Sequence, residues 1–321
     1  MRWIRQYGIP LLRRLGSSVL TLWLITIVVF AMTNVLPGDV ARRILGPFAD
    51  ERAVAALNHQ LGTDRPLPEQ YIHWLSRLAH GDLGTSLAMR RPVAQLLLPA
   101  LANSAKLAGS ALLVILPLSI FLGLVAAFSE GKALDFLIRL SGLVTTVLPE
   151  FVTSIAVILL FAIAIPLFPV TAVAPPHSSL PTQIYYLILP ITPVTLVLVG
   201  YLCRVMRSSA VEILHTNYIR AAELKGLSRW RLLFWHLLPN ALPPVIAVTA
   251  NQLGYLLGGL VAIEAVFNYP GLGQLLLTAG RQKDFPVLQS GVLLVGLTYV
   301  LANTFADLLY WLLNPRLRER G

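Results

Sequence analysis

The chain has 321 residues, 56% of them hydrophobic and 12% charged, with a mean hydropathy of +0.72. Soluble domains carry about 25% charged residues, so this composition excludes an ordinary water-soluble globule and indicates an integral membrane protein. The formal charge of +10 lies beside apolar stretches rather than on one face, which argues for membrane topology and against nucleic-acid binding. Cys203, the one cysteine, excludes an internal disulfide and a Cys-based metal site, and is expected as a small buried residue.

From Leu15 to Gly38 no charge appears, and these 24 residues exceed the roughly 20 that cross a bilayer core. Arg2, Arg5, Arg13 and Arg14 precede them. The run is too long for a signal peptide and lacks a clear cleavage site, so a retained first span over 15–36 is expected. Segment 37–106 is the largest piece outside the bilayer. Within it Val54, Leu57 and Leu61 share a helical face that stops at Gly62; Tyr71, Trp74, Leu75 and Leu78 share a second that ends near Gly81. Two small packed helices fit that pattern. The second span falls within Leu107–Ser129 and the third within Leu140–Phe168. The remaining three run from about Tyr186 to Cys203, Ala241 to Phe267, and Val287 to Leu313.

Basic residues orient these spans. Segments 1–14, 129–139, 204–238 and 314–321 hold 15 of the 25 Lys and Arg, whereas the short connections 169–185 and 268–286 hold only Arg281 and Lys283. The positive-inside rule then places both termini in the cytoplasm and segment 37–106 outside.

Between spans four and five lies NYIRAAELKGLSRWRLLFWHLL, residues 217–238, too elaborate for a mere connection. Asn217 is expected to cap a helix through Lys225. Gly226 supplies a left-handed stop, and Ser228 caps a second segment. A helix of eight residues is marginal alone, since about 12–15 are needed in water, so something must dock it. Either a protein partner or an interfacial seat on anionic lipid answers to these residues.

Acids inside spans are costly and therefore face a cavity or a partner. At about 1.5 Å per residue from Arg139, Glu150 is expected near mid-membrane, either lining a polar cavity and meeting a cationic group there, or protonated or paired within the bundle. Glu264 and Asp307 lie near span ends, where helix-end pairing or a subunit contact is expected. Gly254 and Gly258, extended by Gly259, form a small-residue face suited to close helix packing or a contact with another subunit. Pro270, Gly271 and Gly273 read as a tight turn outside the bilayer. The chain contains no phosphate-loop motif, no H-E-x-x-H and no G-x-S-x-G. His73 and His80 have no clear third ligand, so no metal site is expected.

Residues 217–238 resemble the EAA loop of ABC-transporter permeases, with Ala221, Ala222 and Gly226 matching and Arg220 in place of the first Glu. LGTDRPLPEQYIHWL (61–75), GDLGTS (81–86), LPEF (148–151), EAVFNYPGLG (264–273), KDFPV (283–287) and DLLYWLLNPRLR (307–318) resemble, in order, elements of the dipeptide, oligopeptide and nickel permease branch. The pattern is similar to the first permease of the pair. Lys106 stands where the branch often has Glu, and Glu150 where a neutral polar residue is usual.

The resemblance implies an all-α membrane protein with six transmembrane helices, like a type I ABC importer permease, carrying an extracytoplasmic helical insertion after helix 1. Residues 107–313 would form the permease core. It implies a non-catalytic subunit of the bacterial inner membrane that holds no cofactor, with ATP and Mg on partner subunits. The partners implied are a second permease, two ATP-binding subunits and an extracytoplasmic solute-binding protein. Tyr218, Ile219, Ala222 and Leu227 would supply apolar contact to the ATPase, with Arg220 and Lys225 at the rim. Cargo would be a peptide or a related solute such as nickel, an opine or a metallophore. An ATPase-independent secondary transporter or channel would account for the spans but not for the loop; an exporter on the same plan would account for both.

Overall fold

The computed structural model describes residues 9–35, 40–46 and 48–313. Among these the chain is helical, and the isolated bridge from Thr85 to Pro92 joins no sheet. The helices are α1 (Ile9–Val35), α2 (Val40–Leu45), α3 (Glu51–Leu61), α4 (Leu67–Ala79), α5 (Val93–Phe128), α6 (Ala133–Val147) and α7 (Glu150–Ile158). There follow α8 (Leu180–Leu214), α9 (Asn217–Leu224), α10 (Arg229–Leu232), α11 (Leu238–Gly259), α12 (Val261–Val266), α13 (Leu272–Gln282) and α14 (Phe285–Leu313). Wider π turns continue α7 over Leu159–Ala164 and lead into α11 over Leu233–Leu237. The tails before Ile9 and after Leu313 lie outside the described residues.

Four continuous helical stretches are long and apolar enough to cross a bilayer: Val93–Phe128, Leu180–Leu214, Arg229–Gly254 and Phe285–Phe305. A fifth is counted if α6 and the α7 segment through Ala164 form one span, although they meet at a bend of 102°. The bend falls within the stretch Leu140–Phe168 expected to hold the third span. Pro149 forces Leu148 into extended backbone (φ −72°, ψ 127°), because the proline ring disfavours helical geometry in the residue before it. The rise per residue from Arg139 therefore does not measure the depth of Glu150. Large apolar side chains stand on the outside, among them Leu113 (79% exposed), Val147 (73%) and Ile163 (62%), a surface that suits lipid and not water.

Backbone contacts divide the chain into two units, one holding residues up to Ala100 with Leu275–Val300, the other Leu101–Gln274 with Leu301 onward.

In the first unit, the aromatic stripe of α4 packs on α1. Tyr71 and Trp74 set their rings 5.3 and 5.8 Å from Phe30, and the Tyr71 hydroxyl lies 2.7 Å from Thr26 Oγ1. Gly62 ends α3 in the left-handed region (φ +71°), as expected, and Gly81 follows α4 at φ +79°. Val54 is buried; the side chains of Leu57 and Leu61 lie outside the described residues. Past α4, Arg77 and the Gly84 N–H each donate to Asp82 at 2.8 Å, which holds its carboxyl below the usual range.

In the second unit, α6 and α8 cross at Gly142 and Gly200. A Cβ on Gly200 would stand 2.5 Å from the Gly142 carbonyl oxygen, so the backbones touch where side chains are absent. One turn from the α6 start, Asp135 is buried and receives two hydrogen bonds from Arg207 of α8, at 2.6 and 2.7 Å, with Arg139 at 3.2 Å. Leu107 and Ile115 of α5, Leu189 and Leu202 of α8, Leu256 of α11, Ile263 of α12 and Phe267 at its end form the main buried cluster.

Candidate functional site

The loop after α8 folds as two short helices at Gly226, as the sequence predicts. Gly226 adopts φ +74°, and its N–H closes the turn on the Glu223 carbonyl at 2.9 Å. Ser228 Oγ accepts from the Arg231 N–H at 3.4 Å, capping α10. The cap of α9 differs from expectation. Asn217 is already helical, and Thr216 occupies the cap position with its hydroxyl turned back to the Ile213 carbonyl.

Eight residues leave α9 dependent on packing, and the structure shows where that packing comes from. Ile219 and Ala222 are buried against Leu232, with Ile213, Leu214 and Leu227 closing the cluster. These residues therefore hold α9 to its own chain, which corrects the outward contact expected of Ile219 and Ala222, while Leu227 is half-buried. The opposite side carries Tyr218, Ala221, Leu224 and Lys225, with Arg220 beside them, all exposed. Leu224 is 90% exposed and went unnoticed in the sequence. Helical spacing, at about 100° per residue, sets Ala221 and Leu224 apart from Ile219 and Ala222 with Tyr218 at the edge between them, but does not say which side turns inward. Tyr218 is anchored by a hydrogen bond between its hydroxyl and His236 Nδ1, with the two rings 5.2 Å apart. Trp230, Phe234 and Trp235 are also exposed on the segment that leads into α11.

The other motif residues form two buried carboxylate locks. In the first, Glu264 is 1% exposed. It accepts from Ser104 Oγ at 2.5 Å and from the Gln274 N–H at 3.1 Å. Ser104 Oγ in turn accepts from the Leu272 N–H at 2.8 Å, Asn103 donates to the Pro270 carbonyl at 2.9 Å, and Tyr269 donates to the Asn103 carbonyl at 3.0 Å. The two glycines make room for the acid. A Cβ on Gly271 would overlap the Glu264 carboxylate, and one on Gly273 would lie 2.7 Å from the Val261 Cα. The helix-end pairing expected of Glu264 is thus a bond to α5 and to the turn itself. Ser104 and Asn103 carried no motif that sequence reading singled out.

The second lock joins GDLGTS to KDFPV. Asp284, 2% exposed, accepts from Ser86 Oγ at 2.5 Å and from the N–H groups of Leu87 and Ala88 at 3.2 Å each. Ser290 donates to the Leu83 carbonyl at 3.2 Å. Two segments almost 200 residues apart in the chain are held by one carboxylate.

Glu150 opens α7 directly after Pro149 and is half-buried. A carboxylate in that first turn is stabilised by the exposed N–H groups and dipole of the helix start. Lys106 donates to Gln183 Oε1 at 2.5 Å on an exposed face. Gly254 is buried on α11. The surroundings of Gly258 and the side chain of Asp307 lie outside what the structure describes.

Residues 119–319 match the family described as the binding-protein-dependent transport system inner membrane component, and residues 9–102 match the N-terminal region described for such membrane components. The chain is 33% identical to the probable peptide ABC transporter permease protein of Sinorhizobium fredii, over 97% of this chain and 99% of that one. It is 32% identical to the di/tripeptide transport system permease protein of Pseudomonas aeruginosa, over 96% and 98%. The glutathione transport system permease protein of Salmonella typhimurium matches at 32%, over 96% and 98%. The chain belongs to the family of ABC-transporter permeases, the non-catalytic multi-pass inner-membrane subunits of binding-protein-dependent transport systems.

Proposed function

We propose that this chain is one of two permease subunits of an ABC importer for short peptides, and that α9 is the helix through which ATP hydrolysis on separate subunits moves it. The observation that carries this reading is the two-sidedness of α9. Ile219 and Ala222 pin it to the chain, while Tyr218, Ala221 and Leu224 offer an apolar face outward with Arg220 and Lys225 at its edge. A helix so short and so exposed on one side gains order from a partner surface.

In this reading the chain spans the membrane six times, counting α1 and taking α6 with α7 as one bent span, with both termini cytoplasmic. A solute-binding protein delivers cargo from outside, where region 37–106 lies. A second permease completes the pathway, with Gly254 and Gly258 on the contact. Glu150, at the bend of span three, faces the pathway and meets a cationic part of the cargo. ATP and Mg reside on the two ATPase subunits. Peptide is favoured over nickel or metal chelates because the names of the relatives cite peptides, di/tripeptides and glutathione, itself a tripeptide.

The test is uptake of labelled di- and tripeptides into liposomes holding the complete transporter. The expected outcome is uptake that requires both ATP and the binding protein. Robust uptake by this chain alone would contradict the reading.

A further inference from the structure

Beyond Gly226 the loop exposes a second face, of a different kind from that of α9. Trp230, Phe234 and Trp235 are 72%, 56% and 76% exposed, and the Trp230 and Phe234 rings stack at 6.0 Å. Arg229 and Arg231 stand exposed beside them. On the inner side Leu232 packs with Ile219 and Ala222, and Leu237 with Met206, Ala210 and Ala241. Residues five apart lie about 140° apart around a regular α-helix. The π turn over Leu233–Leu237, whose bonds reach five residues back, lets Leu232 and Leu237 both turn inward and leaves Phe234 and Trp235 both outward. Arg229 also opens a continuous helical stretch, through Gly254, that is long and apolar enough to cross a bilayer. The exposed aromatic face is thus the first two turns of a span, at the point where it enters the membrane.

We propose that Arg229, Trp230, Arg231, Phe234 and Trp235 form a seat for anionic phospholipid of the cytoplasmic leaflet, with the rings in the headgroup layer and the guanidinium groups on phosphate. The proposal rests on the cytoplasmic placing of 217–238 given above. Three large rings so closely spaced make a surface that suits lipid better than water, and the face continues directly into the span. Tryptophan favours the boundary of a bilayer, where its ring meets the chains and its N–H the headgroups. An arginine fork matches phosphate in a two-bond geometry, and basic residues beside a span are drawn to an anionic leaflet. No acid lies between Glu223 and Glu264, so no carboxylate of this segment opposes an anionic partner. The loop then has two partners. Helix α9 meets the ATPase, the turns after it hold the membrane surface, and Leu232 ties one to the other.

The experiment uses the complete transporter in nanodiscs of phosphatidylcholine with phosphatidylglycerol as the minor component. Photoreactive benzoylphenylalanine replaces Trp230, Trp235 or Leu224, one at a time, and the adducts are identified by mass spectrometry. At 230 and 235 the expected adducts are phospholipid. Phosphatidylglycerol is expected among them at about threefold or more above its share of the nanodisc, an enrichment lost when Arg229→Gln and Arg231→Gln are combined. Adducts at 230 and 235 on the ATPase or the second permease, with none on lipid, overturn the proposal. Lipid adducts without enrichment, or with enrichment that the double variant leaves unchanged, overturn it too. Where the double variant fails to assemble, the enrichment on the arginine-bearing chain decides alone. The Leu224 position tests the underlying reading separately. An ATPase adduct is expected there, whereas an adduct on the binding protein would place the loop outside and remove that reading itself.

Discussion

The Glu264 lock and the α9 helix are both built from family motifs, yet they treat their polar and apolar groups in opposite ways. Around Glu264 the acid, the hydroxyl of Ser104 and the N–H groups of Leu272 and Gln274 satisfy one another inside the chain. On α9 Ile219 and Ala222 are buried inside and the Tyr218 hydroxyl is held by His236, while the Tyr218 ring, Ala221 and Leu224 remain exposed. A motif closed on itself is a structural device. A motif half closed is a surface waiting for a partner, and the same helix shows which half is which.

The comparison breaks first at the lock. Glu264→Ala removes the acceptor for two buried donors, each charge-assisted bond worth about 1.5–3 kcal/mol, so a loss on the order of 4 kcal/mol is expected. Thermal unfolding of the purified chain in detergent measures it; a midpoint within a degree of the parent would show that Glu264 is not structural. A smaller effect is expected at Gly226, where a Cβ meets open space but the left-handed backbone does not suit it. Gly226→Ala should cost about 1–2 kcal/mol locally, read as faster amide exchange in 217–232 with the rest of the chain unchanged.

What could be read in the sequence was local. Gly226 and Ser228 announce a stop and a cap by their own chemistry, and both adopt the expected roles. Pro149 announces a break, but its ring restricts only the residue before it and does not by itself give the 102° between the two helices. Asp284 stood in a recognised motif without a partner, because nothing local ties it to Ser86, almost 200 residues earlier. Which side of α9 turns inward was hidden for a related reason. Apolar residues lie on both sides of so short a helix, and Leu232, which decides the matter, follows it in the next helix.

The most direct test of the account separates the two sides of α9. Leu224→Glu changes a side chain that is 90% exposed, so stability within about 0.5 kcal/mol of the parent is expected. The same variant should lose co-purification of the ATPase subunits, because a carboxylate cannot be buried unpaired in an apolar contact. Retention of the ATPase at parental stoichiometry by Leu224→Glu would contradict the claim that this face of α9 carries the coupling.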